Sequence, residues 1–104
     1  MKMADKRKHH RIKISQLANI NKAGGVIKNI SKDGMLLEAD LKNPGAQVEI
    51  SLKISGKWVE LRGTVIWWIE NPENKLKTMG IYINEAPPEY EMYVDNLYLE
   101  ASEQ

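Results

Sequence analysis

Cysteine is absent from the 104 residues, and histidine occurs only twice. The absence of cysteine excludes disulfide bonds, thiolate zinc sites and a cysteine nucleophile, and it fits a reducing compartment. The histidines, His9 and His10, are neighbours in sequence. On an extended chain their side chains point in opposite directions, so they rarely share a metal ion. We therefore expect two solvated histidines, no metal site and no cofactor.

Long apolar runs are also missing, and the N-terminal residues are polar and charged. This pattern predicts neither a signal peptide nor a membrane span. The expected location is the cytoplasm, without insertion into a membrane. A chain of this length suits a single domain with one modest core, and we expect a monomer or a dimer.

The common catalytic motifs do not occur either. The sequence has no Gly-x-Ser-x-Gly, no glycine-rich phosphate loop followed by Lys-Ser or Lys-Thr, and no His-Glu-x-x-His. It shows no acid–base pair within a preorganised pocket. We therefore expect a binding protein and not an enzyme.

The formal net charge of +1 conceals opposite charges at the two ends. From residue 85 onward the sequence has acids and no base. A short basic arm on a near-neutral body neutralises too few phosphates for strong duplex DNA binding, and it suits a small polyanion better. Between residues 2 and 13 the one acid is Asp5. The bases in the same segment are Lys2, Lys6, Arg7, Lys8, Arg11 and Lys13.

Alternating apolar and polar residues predict a series of short strands. The strictest alternation is that of Val48, Ile50, Leu52 and Ile54, which indicates a strand with one face in the core. In the second strand, Val26, Lys28 and Ile30 are predicted to share one face. Glycine, proline, asparagine, aspartate and serine predict turns at four places: residues 23–25, 33–34, 43–45 and 55–57.

One face of the fifth predicted strand collects large apolar residues, which are Val59, Leu61, Val65, Trp67 and Ile69. Trp67 is therefore expected to pack in the core, although an exposed tryptophan is also a stacking platform for a base. Trp58 and Trp68 fall on the opposite face, where they suit a partner protein or the C-terminal helix.

Pro87 and Pro88 end the strand pattern and can open a helix over about residues 87–101. Acids in its first turn suit the helix dipole, and Tyr90 and Val94 begin an apolar stripe. Short strands followed by one helix indicate an all-β domain, a small antiparallel barrel. We assign residues 1–11 to a flexible basic arm and residues 12–104 to the barrel and its helix.

Two segments carry the candidate binding residues. Arg7 and Arg11 lie four residues apart in the arm, and a guanidinium can grip a phosphate or the O6/N7 edge of guanine with two hydrogen bonds. Asn29, Ser31 and Gly34 surround a turn, where an amide and a hydroxyl can read a purine edge and a glycine allows close approach. The structural alternatives are a solubilising arm and a hairpin whose side chains bond only to their own backbone.

Together, Arg7-x-x-x-Arg11 and Asn29-x-Ser31-x-x-Gly34 resemble the paired signature of the PilZ domain family. The likeness extends to two strand motifs, Gly63-Thr64-Val65-Ile66-Trp67 and Met79-Gly80-Ile81-Tyr82-Ile83, the latter with isoleucine where phenylalanine is usual. The resemblance covers nearly the whole chain. It implies a six-stranded antiparallel β-barrel with a C-terminal helix.

The resemblance also implies a ligand, the bacterial second messenger cyclic di-GMP. Arg7 and Arg11 would contact phosphate and guanine, while Asn29, Ser31 and Gly34 would line the guanine site. The family accepts aspartate or asparagine at the position of Asn29, and asparagine brings no negative charge to the guanine donors.

Two lysines complete the predicted site as secondary ligand residues, Lys6 and Lys8. Lys6 stands where many members of the family have a further arginine, and lysine lacks the stacking plane. The number of ligands bound at once is therefore open.

The resulting hypothesis is a non-catalytic receptor in which the ligand orders the arm and changes a surface read by an effector protein. One alternative is a basic-arm barrel that binds single-stranded nucleic acid through its tryptophans. Another is a PilZ-like interaction module that binds no nucleotide.

Overall fold

The computed structural model describes residues 11–42 and 44–102. Six strands, which pair in the closed antiparallel order β1-β2-β3-β6-β5-β4, precede one helix. The predicted six-stranded barrel with a C-terminal helix is therefore confirmed. The elements are β1 Ile12–Ile20, β2 Ala23–Ile30, β3 Gly34–Ala39, β4 Gln47–Ile54, β5 Lys57–Glu70, β6 Lys77–Glu85 and α1 Pro88–Ser102.

The strict alternation in β4 turns one side of the strand into the barrel. Val48, Ile50 and Leu52 are buried, while the polar residues between them are exposed or half-buried. The other strands contribute the rest of a single core inside the barrel, which includes Ile20, Ile27, Leu37, Leu61, Met79 and Ile81. Burial of these side chains is the main stabilising contribution to the fold.

The turn between β1 and β2 is formed by Asn21 and Lys22, not by residues 23–25 as the glycines predict. Both residues have positive φ, 51° and 72°. Two consecutive residues of that kind make the two-residue hairpin turn that matches the twist of the strands. Gly24 and Gly25 lie inside β2. At Gly25 a Cβ would come within 2.7 Å of the carbonyl oxygen of Glu38, so glycine is required by close packing.

A bulge in β2 overturns the predicted faces of that strand. The register with β3 shifts between Ile27 and Asn29, so Lys28 is the extra residue. Ile27 and Ile30 are consequently both buried, although strict alternation would place them on opposite faces. Beyond the bulge, Asn29 faces the outside of the barrel opposite Leu36.

A second bulge, in β5, overturns the predicted position of Trp67. The register with β6 shifts between Val65 and Trp67, so that Trp67 lies opposite Gly80. Trp67 therefore faces outward and is 45% exposed, and Ile69 is exposed as well. The same shift moves Trp68 to the inward-facing row at the end of the barrel, where it is 43% exposed.

Helix α1 closes the end of the barrel where β2 ends and β3 begins. It packs against β1 and β4, and Tyr90 and Val94 are fully buried. Glu89 and Glu91 occupy its first turn, where the helix dipole favours acids. In the described residues no helix has the length and apolar character needed to cross a membrane.

Candidate functional site

Strand pairing aligns five residues in one row across the outer face of the barrel. Each member lies directly opposite the next across neighbouring strands. The row runs Lys13, Asn29, Leu36, Gly80 and Trp67. Because directly opposed residues share a face and lie about 5 Å apart, the row forms a continuous surface. We call these five residues the outer row.

The guanidinium of Arg11 lies beside this row, over Gly34. A Cβ placed on Gly34 would come within 2.9 Å of a terminal nitrogen of Arg11, so only glycine leaves room for the arginine in this position. The same Cβ would approach the carbonyl oxygen of Ile81 to 2.9 Å. Gly34 is paired with Tyr82, whose side chain is half exposed. Arg11 is thus held against the start of β3.

The side chain of Asn29 has a hydrogen-bond acceptor that no described residue uses. Its side-chain oxygen Oδ1 is buried and has no hydrogen-bond partner in the described part of the chain. A buried polar atom without a partner costs about 1–3 kcal/mol, so such atoms need an explanation. A ligand donor at this position would remove the cost.

The side chain of Ser31 forms hydrogen bonds within its own turn. It is fully buried, its Oγ donates to Asp33 Oδ1 at 2.9 Å, and it accepts from the Gly34 amide at 3.1 Å. The backbone amide of Ser31 also donates to the Gly34 carbonyl at 2.8 Å. This is the hairpin-capping arrangement that serine favours. Ser31 therefore sets the conformation in which Gly34 meets Arg11.

The inner side of this turn is attached to α1. The hydroxyl of Tyr90 donates to the carbonyl oxygen of Ser31 at 2.6 Å, and burial raises the pKa of Tyr90 above its ordinary value. Lys32 forms an ion pair with Asp95 at 2.9 Å, and the hydrogen bond to Asp95 raises the pKa of Lys32. The backbone of Lys32 also hydrogen-bonds to Tyr98. The turn at residues 31–33 therefore contacts α1 on one side, and on its other side it lies next to the outer row.

Trp67 covers Gly80 at the far end of the outer row. A Cβ on Gly80 would overlap Nε1 of the indole and lie 2.7 Å from Cε2, so the ring rests directly on the backbone of β6. Leu36 lies on the other side of Gly80. The indole and the leucine give this part of the outer face an apolar surface next to the polar groups of Asn29 and Arg11.

The structure brings four of the predicted residues together: Arg11, Asn29, Ser31 and Gly34. Three others lie outside the described residues, Lys6, Arg7 and Lys8, as do both histidines. Sequence reasoning missed Lys13, Leu36 and Tyr82 as neighbours of the site. Only the strand register brings them there, and no local motif carries that information.

Another groove is less suited to an anion. It encloses about 560 Å³ beside β4, β5 and the end of β6, and its lining includes Glu49, Glu60, Glu85 and Glu91. Among the described residues that line it, Arg62 is the base. Carboxylates would repel a phosphate group, so the positive ligand surface is the one around Arg11 and Lys13. No cluster of metal-binding side chains occurs among the residues that the structure describes.

The fold and this surface define a small closed barrel with a cationic, partly apolar outer face next to its capping helix. The PilZ domain family profile matches residues 5–100, and the chain belongs to this family. PilZ domains are typically non-catalytic binding modules. No curated protein shows significant sequence similarity to the chain.

One solved structure supports the same fold. The chain is similar to the Bacillus subtilis inhibitor of motility MotI/DgrA, with a TM-score of 0.78 and 14% sequence identity. The match covers 100% of this chain and 55% of that protein. The chain therefore spans about half the length of MotI/DgrA, and at this identity the likeness concerns the fold.

Proposed function

We propose that this protein binds cyclic di-GMP on the outer row and has no catalytic activity of its own. The observation that carries the proposal is the buried Oδ1 of Asn29, an acceptor without a partner among the described residues. Asn29 lies two residues before the turn whose Gly34 is in contact with the guanidinium of Arg11. Membership of the PilZ family, whose typical members bind this messenger, supports the choice of ligand. No further cofactor is required.

Guanine is the part of the ligand that Asn29 recognises in this proposal. Its N1–H and N2 amino group are donors that match Oδ1, and its O6 and N7 are acceptors that match an arginine fork. The apolar surface made by Leu36 and Trp67 lies next to Asn29 in the outer row and can receive the flat face of a base. Gly34 lets the base approach the backbone.

The phosphates are the part that the basic residues attract. Arg11 and Lys13 lie on the described surface at the Asn29 end of the outer row. Arg7 follows the family signature and would add a second guanidinium from the arm. Lys6 and Lys8 would contribute electrostatic attraction, which salt weakens.

Ser31 acts mainly through the turn in this proposal. Its hydroxyl hydrogen-bonds to the Gly34 amide and to Asp33, so it fixes the close approach of Gly34 to Arg11. A direct contact between Ser31 and guanine stays a prediction from the family signature.

Ligand binding would fold the arm onto the barrel. Ordering the arm costs conformational entropy and lowers the affinity, but it changes the surface beside the outer row. We propose that an effector protein in the cytoplasm senses this change.

Calorimetric titration of the chain with cyclic di-GMP tests the proposal. We expect saturable binding that Arg11→Ala weakens roughly 10- to 100-fold, because a hydrogen bond to a charged group contributes about 1.5–3 kcal/mol. Asn29→Ala should weaken binding roughly fivefold, because a neutral hydrogen bond contributes about 1 kcal/mol.

The matched controls are Arg62→Ala and Asn96→Ala, which change an exposed arginine and an exposed asparagine away from the outer row. Both should retain wild-type affinity. Cyclic di-AMP, whose adenine presents a donor where guanine has O6, should bind much more weakly. Equal affinity for the two dinucleotides, or loss of binding in the controls, would contradict the proposed site. Strong salt-sensitive binding of an oligonucleotide in place of the dinucleotide would favour the single-strand alternative.

A further inference from the structure

The barrel has two places where neighbouring strands separate. One lies between β1 and β4, which pair only from Ala18 to Ile20 on the β1 side, and α1 packs there against both strands. The other lies beside the second half of β5. Pairing with β4 ends at Thr64 opposite Gln47, and among the described residues the last backbone bond on that side joins the Val65 amide to the Ala46 carbonyl.

Beyond that point β5 continues to Glu70, and within residues 11–42 and 44–102 its one strand partner there is β6. We call residues 66–70 the β5 edge. Along the side that β4 has left, the backbone donors and acceptors of this edge pair with no other described strand. Four consecutive large apolar side chains on it are between 43% and 63% exposed: Ile66, Trp67, Trp68 and Ile69.

The β5 edge lacks the features that normally prevent strand pairing between molecules. Edge strands are usually protected by charged side chains or proline. The seven residues from 63 to 69 carry no charge and no proline. Glu70 at the end of the edge is engaged within the chain, with Lys77 at 3.0 Å, and this hydrogen bond lowers the pKa of Glu70.

We propose that the β5 edge pairs with the β5 edge of a second copy of this chain, in antiparallel orientation about a two-fold axis. The edge of an antiparallel strand is complementary to itself under that symmetry. With the axis at Trp68, the two Trp68 residues lie opposite each other. Trp67 then lies opposite Ile69 of the second copy, and both of these residues face outward. In this register Glu70 lies opposite Ile66 of the second copy, so the pairing brings no like charges directly opposite each other, which favours a second copy over a charged partner.

The available area indicates a weak dimer. An aromatic side chain has about 150–250 Å² to bury, so four large side chains at the observed exposures offer on the order of 400 Å² per copy. With the paired backbone of both copies, the total approaches the roughly 1,000 Å² that specific interfaces need. We therefore expect association in the micromolar range, without any need for nucleotide.

Sedimentation equilibrium of the full chain, from low micromolar to near-millimolar concentration, tests this proposal. The mass should rise with concentration from 11.9 kDa towards twice that value. Ile69→Lys should stay monomeric, because it places like charges within the paired edge. Trp58→Lys is the matched control, since Trp58 is 58% exposed at the opposite end of β5, and it should dimerise like the wild type.

A cysteine variant tests the register independently. The natural sequence has no cysteine, so Trp68→Cys introduces one thiol that lies opposite its symmetry mate. Mild oxidation should give a covalent dimer faster than it does with Trp58→Cys. A wild-type chain that stays monomeric at every concentration would overturn the proposal. So would dimers that survive Ile69→Lys, or equal cross-linking at positions 58 and 68.

Discussion

At the scale of single residues, glycines leave room for the side chains that form the proposed site. Gly34 leaves room for the Arg11 guanidinium, and Gly80 leaves room for the Trp67 indole. Neither glycine has a positive φ among the residues described, so their role is steric and not conformational. The effect of substituting either glycine depends on the atoms that an added Cβ would meet.

Gly34→Ala should displace Arg11 and destabilise the barrel. The added methyl group meets Arg11 at 2.9 Å and the Ile81 carbonyl at 2.9 Å, and the backbone atom cannot move aside freely. Overpacking of this kind costs about 1–3 kcal/mol, and a small domain loses about 4–8 °C of melting temperature per kcal/mol. Thermal unfolding followed by circular dichroism measures the effect.

Gly24→Ala is the control for this prediction, because a Cβ on Gly24 meets no atom within 4 Å. Its unfolding free energy should stay within about 0.5 kcal/mol of the wild type. A melting temperature of Gly34→Ala equal to that of Gly24→Ala would show that Arg11 and the Ile81 carbonyl do not pack closely over Gly34.

Asn29→Asp should strengthen binding of cyclic di-GMP. A carboxylate accepts the guanine N1–H and N2 donors in charge-assisted hydrogen bonds, which are roughly twice as strong as neutral ones. We expect affinity to rise severalfold at neutral pH in calorimetric titration. Weaker binding by Asn29→Asp together with unchanged binding by Asn29→Ala would remove Asn29 from the guanine site.

At the scale of elements, α1 and the turn at residues 31–33 form one unit. The Tyr90 hydroxyl donates a short hydrogen bond to the buried Ser31 carbonyl, at 2.6 Å. Removal of that hydroxyl leaves a buried acceptor unsatisfied, which costs about 1–3 kcal/mol. Tyr90→Phe should therefore lower the unfolding free energy measured in urea by that amount.

Tyr93→Phe is the matched control on the same helix. The Tyr93 hydroxyl makes a longer hydrogen bond, 3.4 Å, to Gln16, and it is only partly buried. Its loss should cost less than about 0.5 kcal/mol. Equal losses for the two variants would contradict a special link between Tyr90 and the turn.

The raised pKa of Tyr90 also predicts how the free energy of unfolding changes at high pH. Burial raises its pKa in the folded state above the ordinary 10.0, so the unfolded chain releases this proton first. The corresponding stability is fully present below about pH 10 and is lost as the pH rises further. Urea unfolding above pH 10 should show a shallower decline for Tyr90→Phe than for the wild type. Parallel declines would contradict the raised pKa.

The elements also show what the sequence could predict. Strict alternation in β4 and the apolar stripe of α1 are sufficient to predict these two elements and their buried faces, because each pattern reflects directly which side chains are buried. Bulges at Lys28 and beyond Val65 reversed the faces of the residues after them, and a one-residue shift leaves no mark in composition. Trp67 was therefore wrongly predicted to lie in the core.

At the scale of the whole molecule, strand order decides which residues become neighbours. Arg11, Asn29 and Gly34 could be proposed from a motif, because family signatures record such residues. Lys13 and Leu36 could not, since only the barrel register places them beside Asn29. The closed order of strands also brings the turn at residues 31–33 against a helix that begins more than fifty residues later.

The most direct test of the central claim is a nitrogen–proton correlation spectrum of the chain titrated with cyclic di-GMP. We expect the amide signals of Arg11, Lys13, Asn29, Gly34 and Gly80 to shift, and those of the hairpin around Gly56 to stay in place. Saturation without shifts at the outer row, or shifts confined to another face of the barrel, would contradict the account.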